Sequence, residues 1–100
     1  MTSAFYIYTN GEIELVSGYV NGEYGIYEIQ ETGQWRIAHL LTGHRIRRVY
    51  SSVGSARSSL PKLLETGIER EIEMSFPTHD EFRKLVIAED KEYFERLNNQ

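Results

Sequence analysis

FYIYTNGEIELVSGYVNGEYGIYEIQETGQWRIAHLLTGHRIRRVY, residues 5–50, consists of short runs rich in Tyr, Ile and Val cut by four glycine turns. The turns are Asn10-Gly11, Asn21-Gly22, Thr32-Gly33 and Thr42-Gly43, spaced 11, 11 and 10 residues apart. Asn-Gly is the strongest two-residue hairpin signal, because the hairpin turn needs positive φ, which Gly and Asn tolerate best. Thr-Gly is a weaker signal and allows a slightly longer loop. The segments Phe5–Thr9, Glu12–Val20, Glu23–Gln30, Gln34–Leu41 and His44–Tyr50 therefore predict a five-stranded antiparallel β-meander. They share no residue pattern, so the even spacing reflects hairpin length and not a solenoid repeat.

Strict two-residue turns fix which residues share a face, because side chains alternate along a strand. One face then carries Phe5, Ile7, Val16, Val20, Tyr27, Ile29, Ala38, Leu40 and Val49, with Arg36, Arg45 and Arg47. The other carries Tyr6, Tyr8, Ile13, Leu15, Tyr19, Tyr24, Ile26, Trp35, Ile37, His39, Leu41, Ile46, Arg48 and Tyr50. Neither face suits water. One is expected to be covered by helices and the other by the sheet's own curvature or by a second subunit, which makes a homo-oligomer the expected state.

Outward from this stretch the character changes. Ser51-Ser52-Val53-Gly54-Ser55 reads as a polar loop leading to a short helix that ends near Gly67. Pro61 suits a first helical turn, so Ser59 is the expected N-cap of that helix, with any helix before it separate or kinked. Ile68, Arg70, Ile72, Met74 and Phe76 alternate with Glu69, Glu71, Glu73 and Ser75, which predicts a sixth strand. After Pro77, Thr78-His79-Asp80-Glu81 matches a Thr-x-x-Glu capping box. Phe82, Leu85, Val86, Tyr93 and Leu97 then recur at helical spacing, predicting one long C-terminal amphipathic helix. The fold class is α+β: five-stranded meander, short helix, sixth strand and terminal helix, in a single domain over residues 1–100.

Composition bounds the function. At 100 residues, 40% apolar and 26% charged, the chain is ordinary for a small globular protein, and its apolar runs are far too short to span a membrane. Without cysteine there is no disulfide, thiol nucleophile or Cys-type zinc site. The opening Met-Thr-Ser-Ala-Phe-Tyr lacks a basic lead and an apolar core, so no secretory signal is expected and the cytoplasm is the expected location.

Charge is sorted along the chain. Thr32 to Leu64 holds six basic residues, Arg36, Arg45, Arg47, Arg48, Arg57 and Lys62, and no acidic one, while the flanking stretches each carry a net −5 and the whole chain −4. Such a segment must face acidic parts of its own fold or hold an anion from outside. Pairing of Arg45 and Arg47 with Glu69, Glu71 and Glu73 across neighbouring strands is the structural explanation. Arg48, on the opposite face, and Arg57 are left over. Trp35 and Tyr50 are expected to lie opposite each other with Arg48 diagonal at ~7–8 Å. Aromatic faces stack a base and a guanidinium forks onto phosphate, while Ser52 and Ser55 add hydroxyls and backbone N–H groups where a helix begins. The candidate ligand site is thus Trp35, Arg48, Tyr50, Ser52, Ser55 and Arg57, although no Walker loop or dinucleotide fingerprint is present.

Other groups carry less. Tyr6, Tyr8, Tyr19 and Tyr24 share a face and form a candidate interface, with β-propensity as the plainer explanation. His39 and His44 are diagonal neighbours without a third ligand, so no metal is expected. No nucleophile elbow or comparable motif is found, so the chain is not expected to be an enzyme, and no cofactor is implied. The leading expectation is a small non-enzymatic protein that sequesters or senses a phosphorylated, nucleotide-like ligand. A protein-binding inhibitor or adaptor using the tyrosine face or the acidic surface is the alternative. Nucleic-acid binding ranks third, because the net charge is negative and phosphate contacts dominate such affinity.

Overall fold

Five strands form in sequence order: β1 (Ser3–Thr9), β2 (Glu12–Asn21), β3 (Tyr24–Glu28), β4 (Trp35–His39) and β5 (Arg45–Tyr50). The computed structural model describes residues 2–9, 11–66 and 79–98. Neighbours in sequence are neighbours in an antiparallel β1-β2-β3-β4-β5 sheet, as the meander reading requires. Gly11, Gly22, Gly33 and Gly43 all take positive φ, between 63° and 82°, so each of the four turns rests on the residue type that adopts this backbone at least cost.

The register departs from strict two-residue turns in an instructive way. In the β1–β2 hairpin Phe5 faces Val16 as expected. Asn21 pairs with Tyr24, which centres the second turn on Gly22-Glu23. Glu28 pairs with Trp35, which leaves a six-residue loop, residues 29–34, between β3 and β4. Between β4 and β5 an irregularity separates the Arg36–Val49 pair from the Ala38–Arg45 pair. Every slip is by two residues. Two is the side-chain period of a strand, so all face assignments survive.

Helices lie on both sides. α1 (Val53–Thr66) sets Ala56, Leu60 and Leu63 against Ile26, Ile37 and Ile46 on one face. α2 (His79–Glu89) and α3 (Tyr93–Asn98) set Phe82, Val86, Tyr93 and Phe94 against Phe5, Ile7, Tyr27, Ala38 and Leu40 on the other. Each large side chain withdrawn from water contributes about 1.5–3 kcal/mol, so these two apolar clusters dominate the packing. Because helices of the same chain cover both faces, burial of the sheet does not require a second subunit.

Two helix expectations are corrected. The first helix starts at Val53, with Pro61 inside it rather than in its first turn. Ser52, not Ser59, serves as N-cap: its Oγ accepts the Ser55 N–H at 3.1 Å. The apolar stripe Ala56-Leu60-Leu63 outweighs the donor that Pro61 denies the Arg57 carbonyl, on an exposed side of the helix. At the C-terminal end, one long helix is replaced by two. The Asp90 N–H still bonds Val86 O, but the Tyr93 N–H bonds Asp90 O at 3.2 Å and starts a new turn. Tyr93 and Phe94 at the start of the new helix both enter the core. The sixth strand expected over Ile68–Phe76 and the Thr78 cap lie outside the described residues.

The sheet is rolled. The Phe5 ring lies directly over Gly25, two strands away, where an added Cβ would come within 2.6 Å of it. The roll also brings the β4–β5 turn to the outer edge of β1, where the Tyr8 N–H donates to Gly43 O at 2.9 Å. The next outward N–H along that edge, on Tyr6, donates to the Tyr93 hydroxyl at 3.1 Å. Edge N–H groups left open invite another strand, and here two of them are capped from within.

Candidate functional site

On the face that carries α2 and α3, Phe82 packs on Gly43 at the β4–β5 turn. Toward the β3–β4 loop the same face forms an open groove of about 560 Å³. Its floor includes Ile7, Val16, Tyr27 and Val49, and Arg36 and Arg45 project into it from β4 and β5. Arg36 faces Val49 and Tyr27 across the ladder, while Arg45 faces Ala38. Strand alternation therefore aims both guanidiniums at the side on which Tyr27 lies. Burial pushes the Tyr27 hydroxyl above its ordinary pKa, and the nearby Arg45 and Arg36 cations pull the other way. Arg36 and Arg45 thus share the sheet face of Tyr27. Among the described residues the buried Nε of Arg36 has no hydrogen-bond partner.

Carboxylates complete the rim. Glu14 borders the groove from β2 and Glu31 from the loop after β3, alongside Thr9, Gln30, Thr32 and Gln34, while Glu28 pairs with Trp35 and shares that residue's face. Chemically the arrangement offers fixed N–H donors, a hydroxyl and amide groups. It is suited to holding a small charged molecule and contains no nucleophile and base set against each other.

The residues singled out from sequence are distributed differently. Trp35 and Tyr50 do face each other across β4 and β5, and both pack against the Ile26-Ile37-Ile46 cluster beneath α1. The Tyr50 hydroxyl is buried there without a hydrogen-bond partner among the described residues. Ser52 and Ser55 bond each other, Oγ to Oγ at 3.2 Å, at the start of α1. Arg57 lies over the Tyr19 ring at 5.0 Å, and Tyr19 in turn tilts against Trp35 with centroids 6.2 Å apart. Arg48 is exposed on β5. The structure thus gathers Arg57, Tyr19, Trp35 and Tyr50 in a row under and beside α1, on the sheet face opposite the groove.

The four tyrosines of the candidate interface are half-buried and mostly engaged within the chain. Tyr6 meets Tyr93 edge-on at 4.9 Å, Tyr24 meets the His39 ring at 5.2 Å, and Tyr8 packs against the cluster around Phe5. His39 Nδ1 shares a hydrogen bond with Thr42 Oγ1 at 2.9 Å, a local turn contact. Among the described residues no three His, Cys, Asp or Glu side chains come together as a metal ion needs. Nor is any described helix long and apolar enough to cross a membrane. The proposed pairing of Arg45 and Arg47 with Glu69, Glu71 and Glu73 falls outside the described residues.

Sequence alternation does put Arg36 and Arg45 on the face of Tyr27, so a signal for the groove exists in the sequence. What alternation cannot supply is the roll that turns this face concave and draws β2, β4 and β5 around Tyr27. Compared with known protein families, curated proteins and solved structures, the chain finds no match.

Proposed function

We propose that this protein is a small non-enzymatic binder that sequesters or senses a phosphorylated small molecule, seated in the groove of Arg36, Arg45 and Tyr27. The observation that carries the reading is the placement of two arginines on the face of a buried tyrosine, all three lining a 560 Å³ groove. A guanidinium presents paired N–H donors that match two phosphate oxygens, and a partly desolvated site strengthens each such bond. The row around Trp35 is a poorer seat, because its rings pack on the core and its serine hydroxyls already bond one another.

Thermal unfolding of the purified chain with inorganic phosphate, pyrophosphate and a panel of mono-, di- and cyclic nucleotides tests the reading. A ligand at a hundredfold excess over its Kd stabilises the folded state by about 2.7 kcal/mol. For a chain of this size that corresponds to a rise in Tm of roughly 10 °C or more. The rise is expected with at least one phosphorylated probe and is lost in Arg36→Gln. A flat response to the whole panel, or a rise that survives Arg36→Gln unchanged, overturns the assignment.

A further inference from the structure

We infer that α3 guards the outer edge of β1: with Tyr93 seated the protein is monomeric, and with Tyr93 withdrawn β1 pairs with the β1 strand of a second copy. β1 and β5 are the two outer strands of the described sheet. They are protected in different ways. β5 carries Arg45, Arg47 and Arg48, and charges along an outer strand repel an identical strand. β1 reads Ser-Ala-Phe-Tyr-Ile-Tyr-Thr, with no charge, no proline and no glycine, the composition of a segment that pairs readily with its own copies.

In place of charge, β1 has contacts from elsewhere in the chain. Outward N–H groups recur at every second residue of an outer strand, here Ala4, Tyr6 and Tyr8. The Tyr8 N–H is taken by Gly43 O and the Tyr6 N–H by the Tyr93 hydroxyl. That hydroxyl stands where the carbonyl of an added strand would accept, and its ring meets Tyr6 edge-on at 4.9 Å. Arg96 braces α3 across the helix break by bonding both carboxylate oxygens of Asp90. Elsewhere the fit is loose. An open cavity of about 230 Å³, bordered by Ser3, Ala4, Leu15 and Leu97, separates α3 from the first two strands. With Tyr8 still on Gly43, a second copy would pair its Tyr6 with Ala4 and its Ala4 with Tyr6, about a two-fold axis at Phe5.

Sedimentation equilibrium of the whole chain, with circular dichroism to confirm folding, tests the guard. Wild-type protein is expected to stay monomeric up to roughly 1 mM, whereas Tyr93→Leu dimerises with a Kd of roughly 100 μM, because a few main-chain hydrogen bonds must offset the cost of association. Leucine keeps apolar fill in the core while removing the hydroxyl and much of the ring. Tyr93→Phe removes the hydroxyl alone and is expected to dimerise about tenfold more weakly. Adding Ala4→Lys to Tyr93→Leu should restore the monomer, since it sets like charges on one face of the paired strands. In the dimer the Ala4 and Tyr6 amides should gain protection from hydrogen exchange as concentration rises. A wild-type dimer through β1, a folded Tyr93→Leu that stays monomeric, or a dimer that survives Ala4→Lys overturns the guard. Should Tyr93→Leu lose its sheet signal, a Tyr93→Phe protein that is monomeric at roughly 1 mM overturns it instead.

Discussion

The phenyl ring of Phe5 rests on Gly25, two strands distant in the sheet, and occupies the space in which any other residue would place its Cβ. This contact marks how tightly the sheet is rolled. Gly18, on the intervening strand, is similarly restricted, because a Cβ there would collide with the carbonyl of Ile26. The groove of Arg36, Arg45 and Tyr27 exists because the sheet rolls.

Gly25→Ala therefore tests the roll directly. The new methyl meets a fully buried ring that has no room to retreat, so overpacking should destabilise the protein by about 1–3 kcal/mol. Urea denaturation is expected to show a lower midpoint with an unchanged slope. A midpoint equal to wild type would mean that Phe5 is not pinned against the third strand.

Ser52→Ala addresses the start of α1. Loss of the Oγ that accepts the Ser55 N–H should cost about 1 kcal/mol, typical of an N-cap. Because Ser52 lies on the opposite face from the groove, the phosphate-dependent rise in Tm should persist undiminished. Loss of that rise with only a small change in stability would return the ligand site to the Trp35 side.

Tyr50→Phe removes a buried hydroxyl that has no hydrogen-bond partner among the described residues. An unsatisfied buried polar group costs roughly 1–3 kcal/mol, so the variant should match or exceed wild-type stability. A drop of more than about 1 kcal/mol in chemical denaturation would show that the hydroxyl has a partner after all.

The alkaline limb of stability should depend on Tyr27 and Tyr93. Burial raises both phenols above the ordinary value of 10.0. With the folded pKa above the unfolded one, the contribution of each neutral phenol is complete below the unfolded value and disappears as pH rises through the folded value. Stability should thus decline above about pH 10, and Tyr27→Phe should flatten part of that decline. Urea midpoints taken across this range provide the check, and a wild-type slope retained by the variant would remove Tyr27 from the account.

Much of the architecture is legible along the chain. Glycine at 11, 22, 33 and 43 announces the turns, and the alternation of Tyr, Ile and Val between them fixes which side chains travel together. These assignments tolerate error in the turns: Asn21 pairs with Tyr24, and Glu28 with Trp35, two residues off the strict register, yet Trp35 still faces Tyr50. The helical parts are less legible. Pro61 suggests a helix start that Ser52 and the Ala56-Leu60-Leu63 stripe override, and the periodicity through Leu97 hides the break after Glu89. In both places long-range packing, of α1 on Ile26, Ile37 and Ile46 and of Phe94 against Phe82, outweighs a local preference.

By itself the sequence determined the strand order, the four turns and the membership of each face, because these follow from φ preferences and from a side-chain period of two. Only the tertiary structure decided that the Phe5 face is the rolled one, with Arg36 and Arg45 closing on Tyr27 while Arg57 stacks on Tyr19. The physical reason is that alternation sets the direction of a side chain within its own strand. Convergence of side chains from different strands depends on the curvature of the whole sheet, which Gly18 and Gly25 permit and the packed helices complete.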